Sequence, residues 1–130
     1  MLGLNIAHIY IKLFISASWC LTLDPYPTVN VTRYNSQSFK CSVDPNWSLA
    51  HYYHGGTNIA LFKASDGKCK DFVDQSSGRY TTYCDDSTRT FYLTINNVTD
   101  DYNGDFIQCI VNYIVGPTSY KYTVINVQCK

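Results

Sequence analysis

Apolar side chains recur at every second position in several short runs of this chain. Phe91, Leu93 and Ile95 alternate with Tyr92 and Thr94; a polar corner, Asp100 to Gly104, follows, and Ile107, Cys109 and Val111 resume the alternation. Phe39, Cys41 and Val43 repeat the pattern upstream. A period of two puts such residues on one face of a strand. Turn-forming residues separate the runs: Asp44-Pro45-Asn46, Gly55-Gly56, Asp66-Gly67, Asp85 to Thr88 and Gly116-Pro117. The pattern predicts strands over 36–43, 49–53, 59–63, 69–73, 79–84, 89–95, 105–115 and 119–127. A Pro-interrupted edge segment, 21–31, precedes them, with Pro25 and Pro27 suited to a strand that switches sheets or guards an edge. No helix of useful length, repeat or low-complexity tract is visible. Short strands at regular spacing with turns between them predict a sandwich.

Cys41 and Cys109 each point inward from a different predicted strand, where they can clamp two sheets across a shared core. With the run LTINNVTDDYNGDFIQC over 93–109, this arrangement resembles the immunoglobulin superfamily over roughly residues 25–128, Cys41 standing on strand B and Cys109 on strand F. The resemblance implies an all-β, immunoglobulin-like sandwich of two antiparallel sheets with Greek-key connections and a variable-type (V-type) strand set. It also implies a Cys41–Cys109 disulfide, worth about 4 kcal/mol in the loop-entropy account. Cys69 and Cys84 are the next pair, tying the C″ region to strand D; two free thiols are the competing reading. Arg79 and Asp101 match the family's bridging ion pair, against the alternative of two unrelated surface charges. Two departures stand out. Tyr52, followed by Tyr53, His54 and Gly56, takes the place of the usual core tryptophan, while Trp47 lies too early, in the B–C loop. Ile107 replaces the tyrosine usually found two residues before the second cysteine, and Phe106 faces outward on a regular strand.

The chain has 130 residues, enough for one domain. Ten basic and ten acidic residues cancel, leaving no electrostatic footprint for nucleic acid or an anionic membrane. Six cysteines in so short a chain point to an oxidising compartment. Residues 1–20 read as a secretory signal peptide, with Leu13 onward as its apolar part and Ser16-Ala17-Ser18 supplying small residues for cleavage near 18–20. An uncleaved anchor is the alternative, although the run is short of the ~20 apolar residues a span needs. Residues 21–130 then form one V-type domain. The sequons at Asn30, Asn46 and Asn97 fit an exported, glycosylated chain. Cys129 is left over: the resemblance puts a surviving Cys20 beyond the ~7 Å reach of a bridge. Cys129 is therefore open to an intermolecular disulfide or to sequence beyond Lys130, with an idle exposed thiol as the bland alternative.

No catalytic constellation emerges, and the expectation is a protein that is not an enzyme and takes no cofactor. His51 and His54 face different sides of a strand and make a poor metal pair. Asp85-Asp86 and Asp100-Asp101 read as solvated turns. What remains is surface. If Cys109 faces in, then Phe106, Gln108, Ile110, Asn112 and Ile114 face out, flanked by His51 and Tyr53 on strand C and by the alternate residues Lys121, Thr123, Ile125 and Val127 on strand G. Trp47 in the B–C loop and Tyr113 in the F–G loop join them as contact candidates. An apolar, tyrosine-bearing face marks association, although strand propensity alone also favours tyrosine and isoleucine. The leading expectation is a secreted recognition domain of the immune or cell-adhesion type, with a protein or glycan ligand. A second copy is one candidate partner, through the C–C′–F–G face or through Cys129. The alternatives are one module of a larger disulfide-linked or membrane-tethered receptor, and a small secreted effector or inhibitor.

Overall fold

The alternation closes into strands almost where the pattern places them. The computed structural model describes residues 21–65, 68–73 and 78–129; the expected leader, with its expected cleavage positions and Cys20, lies outside that range. The strands are β1 (Leu21–Asp24), β2 (Thr28–Thr32), β3 (Gln37–Val43), β4 (Trp47–His54), β5 (Thr57–Ser65), β6 (Lys68–Val73), β7 (Tyr80–Asp85), β8 (Thr90–Ile95), β9 (Phe106–Tyr113) and β10 (Ser119–Gln128), with a 3-10 turn at Asp100–Tyr102. One sheet has the order β1-β3-β8-β7 and the other β2-β10-β9-β4-β5-β6. The prolines divide the first segment: β1 pairs with β3 in the smaller sheet, and β2 pairs with β10 in the larger one. That crossing corrects the expectation of two wholly antiparallel sheets. The chain keeps its direction as it changes sheets, so β2 runs parallel to β10, with Thr28 opposite Val124. Among the described residues no helix is long and apolar enough to cross a membrane.

The inward positions of both sheets form one core. Phe39, Cys41, Phe91, Leu93 and Ile95 supply it from the smaller sheet, and Ala50, Tyr52, Phe62, Ile107, Cys109, Val111 and Ile125 from the larger. The Cys41–Cys109 disulfide crosses between the sheets, with Cα atoms 6.5 Å apart. The Cys69–Cys84 bridge joins β6 to β7, with Cα atoms 6.3 Å apart. Tyr52 is fully buried and donates its hydroxyl proton to the Phe91 carbonyl at 2.6 Å. Rings then run from Tyr52 to Phe62 (6.2 Å), Phe62 to Phe91 (4.9 Å) and Phe91 to Trp47 (4.8 Å).

Three expectations about facing are corrected here. Trp47 is not a loop residue: it opens β4 and is buried. The register against β9 slips between Trp47 and Leu49, which makes Ser48 the extra residue and turns the indole into the core. Tyr113 still belongs to β9 and shares the inward phase of Ile107, Cys109 and Val111, so it is buried too; its hydroxyl accepts the Asp44 N–H at 3.4 Å. On β10 the phase is the reverse of that expected. Thr123 lies opposite Ile107 and is fully buried, as is Ile125, which leaves Tyr120 and Tyr122 facing out.

Candidate recognition surface

Residues opposite one another in a ladder share a face of the sheet. That rule assembles the outward surface of the larger sheet in rows. One row is Tyr53 on β4, Gln108 on β9 and Tyr122 on β10; the next is His51, Ile110 and Tyr120. Leu49 and Asn112 lie above, and Phe106 and Val124 below. Lys63, opposite Leu49 on β5, stands at the margin, and the rows themselves carry no acidic or basic side chain apart from His51. Tyr120 is 61% exposed and Tyr122 50%; Tyr34 and Tyr83 are as exposed elsewhere, but here the two rings stand together on one face with Ile110 and Phe106.

Local contacts hold these groups in place. Phe106 packs edge-on against Tyr122 at 5.7 Å, and Phe106, Gln108, Tyr120 and Tyr122 line a shallow cleft of about 290 Å3. His51 stacks at a tilt beside Tyr53 at 5.7 Å. Its Nδ1 accepts a hydrogen bond from the Asn58 amide at 3.1 Å, which places the ring proton on Nε2. Burial pushes the His51 pKa below the usual imidazole value. A neutral imidazole keeps the surface free of charge near neutral pH. Asn112 is pinned, with its side-chain oxygen accepting from Thr118 at 2.9 Å and its carbonyl from Ser48 at 3.0 Å. Beyond β9, Ile114 and Val115 project into solvent, and the Ile114 N–H bonds the Asn46 carbonyl at 2.7 Å, tying two turns together.

The opposite end of the sandwich holds a network that the sequence reading missed. His54 lies between Tyr80 and Asp105, its Nδ1 3.0 Å from the Tyr80 hydroxyl and its Nε2 2.9 Å from the Asp105 carboxylate. It stacks on Tyr102 at 4.7 Å. Arg79 donates to the Tyr102 hydroxyl at 2.8 Å, while its distance to Asp101 is 3.8 Å with both side chains well exposed. The expected ion pair is therefore weaker than the Arg79–Tyr102 hydrogen bond. Tyr102, buried on the 3-10 turn, supplies a hydroxyl in the corner where Ile107 brings none. A signal is present in the sequence: Ala50, Tyr52 and His54 share one phase of β4, which sets His54 on the same side as the core residue Tyr52.

Cys129 is exposed and joins neither disulfide among the described residues, and Arg33 donates to its sulfur at 3.3 Å. Asn30, Asn46 and Asn97 are all exposed, and none lies in the central rows. Cys69, Cys84 and Asp86 bring potential metal-ligand atoms within 4.8 Å of one another, but the two sulfurs are joined in a bridge and one carboxylate remains.

No protein-family model matches the chain, and no curated protein matches it at a significant level. Solved structures do: 1391 chains match, so the architecture is widespread and does not by itself select a role. One comes from a structure of the basis of T cell specificity and activation by the bacterial superantigen toxic shock syndrome toxin-1. It is 14% identical, with a TM-score of 0.63, and the match covers 85% of this chain and 100% of that one. At that identity the likeness shows the fold: an all-β sandwich of two mostly antiparallel sheets.

Proposed function

We propose that this chain is a secreted, variable-type immunoglobulin domain that recognises a protein partner through the outward face of its larger sheet, without catalysis. The strand order supports the type. β1, β3, β8 and β7 correspond to A, B, E and D, while β10, β9, β4, β5 and β6 correspond to G, F, C, C′ and C″, the last two being the addition that distinguishes variable from constant sheets. The bridges between β3 and β9 and between β6 and β7 fit an oxidising compartment.

The observation that carries the reading is the uncharged row Tyr53–Gln108–Tyr122 with Ile110 and Tyr120 above it. A partner covering it must also be apolar and uncharged, or it would strand its own charges. A second copy meets that condition. Gln108 stands at the centre, and its amide both donates and accepts, so two copies related by a two-fold axis satisfy each other. Sedimentation equilibrium tests this: the secreted chain should dimerise with a dissociation constant on the order of micromolar, and Ile110→Glu should be monomeric with unchanged circular dichroism. A wild-type chain that stays monomeric at about millimolar concentration, or an Ile110→Glu variant that dimerises equally, rejects the reading.

A second reading is favoured by one observation, the exposed thiol of Cys129: the domain is one module of a disulfide-linked assembly. Non-reducing electrophoresis should then show a larger species that Cys129→Ser removes.

A further inference from the structure

At the end of the sandwich where the turns after β3, β7 and β9 meet, a cavity of about 330 Å3 opens. Pro45, Trp47, Ala64 and Ile114 give it apolar walls; Asn46, Asp86 and Arg89 are its polar groups. Asn46 and Arg89 both stand in the left-handed backbone region, at φ 74° and φ 50°. Asparagine tolerates that region, whereas for arginine it is a strained position that the surroundings must impose. What imposes it is a latch on Val43. Arg89 Nε donates to the Val43 carbonyl at 3.0 Å, and the Val43 N–H donates to the Arg89 carbonyl at 3.1 Å.

The latch uses one of the five guanidinium donors. Among the described residues no carboxylate forms an ion pair with Arg89, which is half-buried. Asp86 shares the cavity, and its Oδ1 accepts the Cys69 backbone N–H. The Cys69–Cys84 bridge fixes that wall in turn. The cavity thus holds a latched cation and an anchored carboxylate from one turn, where the Arg89 N–H donates to the Asp86 carbonyl at 3.4 Å, with apolar surface beside them.

The geometry points to a binding site for a small carboxylate that carries its own O–H or N–H donors. The ligand's carboxylate pairs with the two Nη groups of Arg89, the arrangement in which arginine binds most strongly. Its donors meet the remaining oxygen of Asp86, and its carbon body lies against Ile114 and the edge of Trp47. A plain anion would offer Asp86 nothing, and a neutral sugar would leave Arg89 unpaired. The volume is at the lower end of ligand cavities, about the size of one amino acid or one sugar acid. This site uses none of the residues in the sheet-face rows and stands whether or not that face dimerises. Asn46 also opens a sequon on the rim, so an oligosaccharide there and the ligand compete for one entrance.

The test uses the full chain exported to a bacterial periplasm, where both bridges can form and Asn46 stays unmodified. Amide and arginine side-chain resonances are followed while leucine, glucuronate, leucinamide or glucose is added. Leucine or glucuronate should shift Arg89 Nε and the Ile114 amide with a dissociation constant on the order of millimolar, and which of them binds tells an amino acid from a sugar acid. Leucinamide and glucose should shift neither. Arg89→Gln should weaken binding about tenfold or more. Asp86→Asn, which keeps the acceptor for Cys69 N–H and so protects the fold, should weaken it several-fold. The proposal is overturned if neither carboxylate shifts these resonances, if leucinamide and glucose bind equally well, or if both variants bind like the wild type.

Discussion

Tyr52→Phe removes one oxygen atom from the centre of the core. That hydroxyl is fully buried and donates to the Phe91 carbonyl at 2.6 Å, while the ring meets Phe62 at 6.2 Å. The ring stays, so no cavity opens; the loss is one buried hydrogen bond and a carbonyl lone pair left unmet. The cost should be about 1–2 kcal/mol, read as a lower urea midpoint at unchanged slope by far-ultraviolet circular dichroism. In a thermal scan each kcal/mol is about 4–8 °C for a domain near this size. The companion variant Tyr52→Trp inserts the side chain that the resemblance leads one to expect. Here the Phe62–Phe91–Trp47 chain already fills that space, so the larger ring should overpack and cost about 1–3 kcal/mol. Alkaline stability gives a second readout. Burial holds the Tyr52 hydroxyl well above the ordinary phenol value. The unfolded chain loses that proton near pH 10 while the folded one keeps it, so stability is intact below about pH 10 and falls as pH rises further. Tyr52→Phe should flatten this limb, and Tyr80, also raised by burial, should preserve part of it. An unchanged urea midpoint in Tyr52→Phe, or a more stable Tyr52→Trp, refutes the account of the core.

Trp47→Ala should lose about 3–5 kcal/mol in urea melts, as a core truncation does and a loop contact does not. Replacing Cys41 and Cys109 together by Ala should cost about 4 kcal/mol, measured the same way without reductant. His54→Phe keeps the stack on Tyr102 but breaks the bonds to Tyr80 and Asp105, and should cost about 1–2 kcal/mol. Because burial within the chain lowers the His51 pKa, the unfolded chain takes up the proton first as pH falls. The share of fold stability tied to His51 should therefore be intact above about pH 6.5 and decline below it, and His51→Asn should remove that dependence in urea melts.

Most strands were legible because inward positions alternate without interruption: Phe39-Cys41-Val43, Phe91-Leu93-Ile95 and Ile107-Cys109-Val111 each hold one phase. The inter-sheet bridge followed from two of those runs. Facing failed where the period breaks. At Trp47 a residue is gained in the ladder, which no count along the sequence can reveal, since Asn46, Trp47 and Ser48 look like any polar turn around one aromatic. On β10, Tyr120, Tyr122 and Val124 alternate with Lys121, Thr123 and Ile125, and either phase offers apolar groups. Only pairing with β9 decides that Thr123, opposite Ile107, is inside. The His54 network was hidden for a different reason. Its members come from β4, β7 and the turn before β9, and polar groups far apart in sequence announce nothing until the fold brings them together.

The two surfaces proposed for binding have different mechanical footings. β4 and β9 are interior strands, bonded on both sides, and each supplies the core and the face in alternation: Tyr52 and Cys109 inward, His51, Tyr53, Gln108 and Ile110 outward. The face is therefore ordered before any partner arrives, and little side-chain or backbone freedom remains to be lost on association. The edge strands β2 and β6, each paired on one side only, carry none of the residues of the two central rows. The loop-end cavity rests on strand ladders only at Trp47 and Ala64 and otherwise depends on cross-links: the Val43 latch, the Ile114–Asn46 backbone bond and the Cys69–Cys84 bridge. Reduction of that one bridge should thus impair the cavity while leaving the central rows, held by β3, β9 and their own disulfide, in register. A dimer that survives selective loss of Cys69 and Cys84 together with abolished carboxylate binding would show the two to be independent; simultaneous loss of both would show that the face, too, draws its order from the bridge at β6.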